Sequence, residues 1–246
     1  MKYRVFSDIH LDHSMWYPKP MAYDDETTLI LAGDLWTGTR LVDTMNWLHE
    51  LATKFKYVVF VLGNHDYWTN RNGNADWRGI PKAFDGFLPD NVFLLEKEVI
   101  ELDGVKIGGA TLWTDIDGYN PLAVLDCKRY TNDFMYMPQM TPQLWMQEYK
   151  DTVEWIKTVE VDILITHYVP SAHFCHPRYR GMIESCMFNS NTIGQISKLP
   201  KVWIFGHTHD NYDETLANTK FICNPRGYSY ENYDFREESL YEFNLC

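Results

Sequence analysis

Tyr57-Val58-Val59-Phe60-Val61-Leu62-Gly63-Asn64-His65-Asp66 joins two unlike halves: an apolar and aromatic run, then a glycine, an amide, an imidazole and a carboxylate. A run of this length without polar alternation reads as a strand covered on both faces. The glycine suits a tight turn at the strand end that leaves room for polar side chains. The same arrangement recurs along the chain. Tyr3–Phe6 is followed by Ser7-Asp8-Ile9-His10, Thr28–Ala32 by Gly33-Asp34, Asp162–Thr166 by His167, and Val202–Phe205 by Gly206-His207-Thr208-His209. Five of the nine histidines fall in these positions. Each run ends in carboxylate, amide or imidazole at the carboxyl edge, where open α/β sheets form their ligand crevice.

The segments between the runs complete the architecture. Leu41, Met45, Leu48, Ala52 and Phe55 recur at helical spacing and predict a helix over 41–55. A second helix is expected over 143–157, with Thr141 as N-cap, Pro142 at the first helical position and Trp145, Tyr149, Val153 and Ile156 on its apolar face. Val92–Leu95, Val99–Leu102 and Val105–Ile107 read as short strands, with Asp103-Gly104 as a two-residue hairpin turn. Further short strands are expected from Tyr212 through Phe221-Ile222-Cys223 to Leu240–Phe243. The fold class that follows is α/β, a four-layer α/β/β/α sandwich of two mixed sheets flanked by helices. Segments 64–91, 111–141 and 167–196 read as long loops rich in Gly, Pro, Asn and aromatics, a length often tied to function.

Composition bounds the class. With 246 residues, 45% hydrophobic and 23% charged, the chain suits a single domain spanning 1–246 with a sizeable core. No apolar run reaches the length of a membrane span, and none near the N-terminus has the length of a signal peptide, so a cytoplasmic protein is the expectation. Cys127, Cys175, Cys186, Cys223 and Cys246 form an odd set without a CxxC pair, which fits reduced thiols. A net charge of −12 argues against a grip on long nucleic acid but leaves room for a small phosphorylated substrate, because bound cations add local positive charge.

Carboxylate, amide oxygen and imidazole without thiolate suit hard or borderline divalent ions: Mn²⁺, Fe²⁺, Zn²⁺ or Mg²⁺. Two such ions roughly 3.5–4 Å apart activate water and stabilise the attacking and leaving oxygens of in-line displacement at phosphorus. One carboxylate must bridge them, and Asp34 is the natural candidate. Asp8, His10, Asp34, Asn64, His167, His207 and His209 are therefore the expected ligands.

On these residues the sequence resembles the calcineurin-like metallophosphoesterase family, from Asp8-x-His10 through Gly33-Asp34, Gly63-Asn64-His65-Asp66 and His167 to Gly206-His207-x-His209. The resemblance implies Asp8, His10 and His209 on one ion, Asn64, His167 and His207 on the other, and Asp34 between them, with Mn²⁺ foremost. It also implies His65 over the phosphate as general acid or charge stabiliser, oriented by Asp66, and a metal-bridging hydroxide as nucleophile. Gly108–Asp115, Asn132-Asp133-Phe134 and Cys223–Tyr228 are similar to stretches of a bacterial and phage branch. The second motif continues Leu35-Trp36-Thr37-Gly38 where protein serine/threonine phosphatases have Asp-Arg-Gly, which counts against protein phosphatase activity.

The expected function is hydrolysis of a phosphodiester or phosphomonoester in a small or nucleotide-like substrate. The rivals are a nuclease of the same family, which needs a basic groove, and a binding scaffold, which tends to lose ligands. Arg226 and Arg178 are candidate phosphate-binding cations, against a loop-fixing role. Asn132 and Asp133 are weighed between the site and a structural turn. Trp36 and Trp68 are weighed between stacking on substrate and ordinary packing. His13, His49, His173 and His176 receive no role, His13 lying nearest a ligand.

Overall fold

The computed structural model describes residues 1–69, 76–232 and 234–244. Cys246 and residues 70–75 of the expected 64–91 loop lie outside the described residues. The strands are β1 (Lys2–Phe6), β2 (Thr28–Ala32), β3 (Tyr57–Val61), β4 (Val92–Leu94), β5 (Glu98–Leu102), β6 (Val105–Ala110), β7 (Ile163–Thr166), β8 (Val202–Ile204), β9 (Tyr212–Leu216), β10 (Thr219–Cys223) and β11 (Tyr241–Glu242). They form two mixed sheets, ordered β11-β1-β2-β3-β4 and β5-β6-β7-β8-β10-β9.

Within the first sheet β1 to β4 run parallel and β11 antiparallel. Within the second, β6, β7, β8 and β10 run parallel and the edge strands β5 and β9 antiparallel. Parallel pairing puts the carboxyl ends of β1, β2 and β3 at one edge, and those of β7 and β8 likewise. Alternate side chains divide between two cores, as the two-residue period of a strand requires. Val5, Ile30, Ala32, Val59 and Val61 meet Ile107, Ile163, Ile165, Ile204 and Ile222 between the sheets. Burial of each valine or isoleucine there contributes about 1.5–3 kcal/mol. Phe6, Leu29, Leu31, Phe60, Leu164 and Trp203 join the other core, shared with the helices.

The helix Leu41–Ala52 buries Trp47, Leu48 and Leu51 there, ending three residues before Phe55. Pro142–Thr158 starts as the sequence predicts: Thr141 Oγ1 accepts from the Leu144 amide at 3.2 Å, and Trp145, Tyr149, Val153 and Ile156 are buried. The Asp103-Gly104 turn has positive φ at both residues, 51° and 76°. Segment 111–141 departs from the loop expectation. It holds a helix, Pro121–Tyr130, in which only Ala123 and Cys127 are buried, and a short helix, Asp133–Tyr136. Two buried positions one turn apart leave too narrow an apolar stripe to stand out against exposed Leu122, Leu125 and Tyr130. Cys127, Cys175, Cys186 and Cys223 are free and buried. No helix among the described residues is long and apolar enough to cross a membrane.

Candidate metal centre

The turns after β1, β2 and β3 are laced into one rim. Asp8 N donates to Gly33 O at 2.9 Å, His10 N to Asp34 O at 3.0 Å, and His65 N to the Asp34 carboxylate at 2.9 Å. The second sheet is tied to this rim by the His207 amide, which donates to the Asp8 carboxylate at 3.0 Å. Gly206 N donates to His167 O at 2.9 Å and brings β7 and β8 together at the same place. The glycines are sterically required. A Cβ on Gly63 would sit 2.1 Å from Asp34 Oδ1 and 2.7 Å from His167 Cε1.

Asp8, His10, Asp34, His207 and His209 all have left-handed backbones, with φ between 47° and 66°. Asp and His tolerate this region better than most residues, but it still costs on the order of 1 kcal/mol or more at each. The strain aims five side chains from three turns into one volume.

All seven residues expected as ligands converge. The donor atoms of Asp8, His10 and His209 lie within 4.8 Å of one another, and so do those of Asp34, His167 and His207. Asn64 Oδ1 stands 3.0 Å from His167 Nε2. Asp34 lies between the groups, with Oδ1 3.5 Å from His167 Nε2 and Oδ2 3.8 Å from His10 Nε2. His65 joins a third grouping with His10 and Asp34, its Nε2 4.0 Å from Asp34 Oδ2.

The tautomers decide what this volume can hold. His167 Nδ1 donates to Ala32 O at 2.9 Å, and His207 Nε2 to Met187 O at 3.3 Å. Carbonyls only accept, so each imidazole carries its proton on the outer nitrogen and turns a lone pair inward. Those inner nitrogens, His167 Nε2 and His207 Nδ1, are 3.1 Å apart, with Asn64 Oδ1 beside them. Burial holds both imidazoles below their usual range, so no added proton relieves the crowding. Three acceptors facing one another without a donor are an arrangement that a cation satisfies.

The other group is more charged. His209 Nδ1 donates to Glu231 at 2.6 Å and its Nε2 lies 3.4 Å from Asp8 Oδ1. Burial opposes a charge on His209, but hydrogen bonds to Asp8 and Glu231 raise its pKa to about 10. Burial, then Asp8 and Asp66, push Asp34 well above the usual carboxylate range. A dication beside it would reverse that preference.

Two expectations are corrected here. Asp66 does not orient His65. Its carboxylate accepts from the amides of Gly63 at 2.8 Å, Leu35 at 3.1 Å and Trp36 at 3.1 Å, while His65 Nδ1 is buried without a hydrogen-bond partner among the described residues. Asp66 therefore joins the turns after β2 and β3, and burial, offset by those amides, raises its pKa to about 7. Arg226 is also turned away from the site. It donates to Ile9 O at 2.7 Å and to Ser14 O at 3.1 Å, which fixes the loop after β1.

Arg178, in contrast, is exposed and lines an open cavity of about 390 Å³ with Asp34, His65, His207 and His209. Among the described residues it has no ion-pair partner, only the Tyr179 ring at 5.6 Å. Tyr179 and Phe188, stacked at 4.8 Å, form one wall of this cavity.

Trp68 lies flat on His65 at 3.5 Å and Tyr136 stacks on it at 4.8 Å, so its faces are taken by protein rings, while its edge lines a separate cavity with His13 and Thr37. Trp36 is buried in the core. His13 packs on Tyr228, His49 meets Phe87 O, His173 meets Glu214, and His176 lines the cavity beside Asp210. Glu231 and the Tyr228 ring stacked on His10 at 4.5 Å were not singled out from sequence. Tyr228 closes the Cys223–Tyr228 stretch noted for its resemblance but carried no role there, and Glu231 lies three residues beyond it, outside any motif.

The family model for calcineurin-like phosphoesterases matches residues 1–211. The chain belongs to that family. An uncharacterized protein of Acanthamoeba polyphaga mimivirus is 24% identical, over 94% of this chain and 93% of its own. The phosphopantetheinyl hydrolase PptH of Mycobacterium tuberculosis has the same fold, with a TM-score of 0.68 and 19% identity over 94% of this chain and 90% of that one. A putative 5′-nucleotidase of Staphylococcus aureus is matched over 92% of this chain but only 48% of its own, at 14% identity and a TM-score of 0.48. Calcineurin-like phosphoesterases depend on divalent metals, and the clustered donors of this chain fit that dependence.

Proposed function

We propose that this calcineurin-like phosphoesterase uses two divalent ions to hydrolyse phosphoric esters of a small or nucleotide-like substrate. The observation that carries the reading is the crowding of His167 Nε2, His207 Nδ1 and Asn64 Oδ1, three lone pairs with no proton to share. Asp8, His10 and His209 would hold one ion and Asn64, His167 and His207 the other, with Asp34 facing both. Oxygen donors mixed with imidazole suit Mn²⁺, Fe²⁺ or Zn²⁺, of which Mn²⁺ is the ion proposed. When bound, the ions supply an activated water and positive charge at phosphorus.

The residues supply the rest. Burial holds His65 well below the usual imidazole range, so it stays neutral and offers one N–H. Among the residues lining the cavity, that N–H is placed to hydrogen-bond a phosphate oxygen and stabilise its developing charge. Arg178 provides the cation for an outer phosphate oxygen. The Tyr179–Phe188 wall favours a flat or apolar group beyond the ester. A nuclease reading fares worse, because Asp210 and Glu231 share the cavity lining with Arg178. Retention of every expected ligand disfavours a scaffold that has lost catalysis.

The test is a panel of phosphate mono- and diesters assayed with Mn²⁺, Mg²⁺, Zn²⁺ and Fe²⁺ supplied separately to metal-stripped protein. Metal-dependent hydrolysis is expected, and His65→Ala should retain the ions while slowing turnover by about 10²–10³-fold. Hydrolysis that survives complete metal removal sinks the reading.

A further inference from the structure

We propose that Asp133 is a positioning residue that fixes which atom of Asn64 faces the metal centre; this rests on the dinuclear reading above. Asp133 opens the short helix Asp133–Tyr136 and is only 5% exposed, 69 positions from Asn64 along the chain. Its Oδ1 accepts from Asn64 Nδ2 at 2.9 Å and from the Trp68 indole at 2.7 Å.

An indole N–H can only donate, which marks that oxygen as an acceptor. With its NH₂ drawn to the same oxygen, Asn64 must turn Oδ1 the opposite way, and there it stands beside His167 Nε2. The alternative amide orientation differs by a half-turn and presents two hydrogens where a cation needs an oxygen. The two orientations have the same shape and the inward lone pair of His167 would draw the NH₂, so before an ion arrives it is Asp133 that holds the oxygen toward the centre. The same carboxylate holds the Trp68 ring that lies against His65, and Tyr136 from the same short helix closes the other face of that ring. Asp133 thus belongs to the outer support of the centre, where such partners set ligand orientation.

The experiment compares wild type, Asp133→Leu, Asn64→Asp and the exchanged pair Asn64→Asp/Asp133→Asn. Each is titrated with Mn²⁺, counted for ions per chain, and assayed on aryl phosphates. Asp133→Leu should weaken binding of one of the two ions by about 10–100-fold. Asn64→Asp keeps a ligand oxygen but sets two carboxylates face to face, and should lose a comparable amount. The exchanged pair puts the amide donor on the helix side and the carboxylate on the ligand side. It should regain at least about 10-fold over Asn64→Asp, a coupling within the range for residues in contact.

A residue that merely fills the loop gives no such recovery. Losses that simply multiply in the double variant therefore overturn the proposal. If Asp133→Leu fails to fold by circular dichroism, the near-isosteric Asn64→Asp and exchanged-pair comparison still decides. A wild type that binds no ion overturns the dinuclear reading and this proposal together. A wild type with two ions and no recovery in the exchanged pair overturns this proposal alone.

Discussion

The two donor groups of the centre meet at Asp34 but are held in place by different means. In the Asn64–His167–His207 group the outer partners of the imidazoles are backbone carbonyls, Ala32 O and Met187 O. In the Asp8–His10–His209 group, His209 leans on the carboxylate of Glu231, which lines the cavity. A carbonyl fixes a tautomer without adding charge, whereas a carboxylate fixes it and also strengthens the imidazole as a donor. The first group brings only neutral donors of its own; the second brings Asp8 and has Glu231 behind it. Coulomb attraction at these short, buried distances favours the second group for a dication. Two sites built from similar residues are therefore expected to differ in ion retention.

The largest change should come from erasing what the groups share. Asp34→Asn removes the one carboxylate that faces both among the described residues, and turnover should fall to the uncatalysed background with fewer than two ions per chain; an unchanged ion count and rate would falsify its bridging role. A smaller effect probes the asymmetry itself. Chelator titration of wild type should release the ions in two steps, the Asn64 group first. Glu231→Gln should weaken retention by the Asp8 group by about 10–100-fold and draw the steps together. Steps that stay equally spaced would show that the outer carboxylate does not set the difference.

The smallest effects separate the two arginines. Arg178→Ala should raise KM by about 10-fold, the scale of one charge-assisted contact of 1.5 kcal/mol or so, and leave Tm unmoved. Arg226→Ala should do the reverse, destabilising by about 1 kcal/mol through the lost bond to the partly buried Ile9 carbonyl, with KM near wild type. The opposite pattern would return Arg226 to the phosphate.

Much of the frame was legible in the chain. Continuous apolar runs with Gly and polar residues behind them gave β1, β2, β3, β7 and β8 within a residue or so at each end, because burial on both faces leaves its mark in composition. The Thr141-Pro142 start was legible because capping is local chemistry. The helix Pro121–Tyr130 was not, since two buried residues make no readable stripe. The short helix at Asp133 hid for a different reason: its meaning lies in partners 65 and 69 positions away.

The sequence by itself therefore determined the donor types, their order at five strand ends, and the kind of chemistry such donors support. Tertiary structure alone decided the roles of the supporting residues. It turned Asp66 onto backbone amides and Arg226 onto the loop after β1, and it brought Glu231 and Asp133 behind His209 and Asn64. The physical reason is range. Strand burial and turn geometry act between neighbours and are recorded in short patterns, whereas the direction of a carboxylate or guanidinium is fixed by whichever distant group satisfies it once the two sheets have closed.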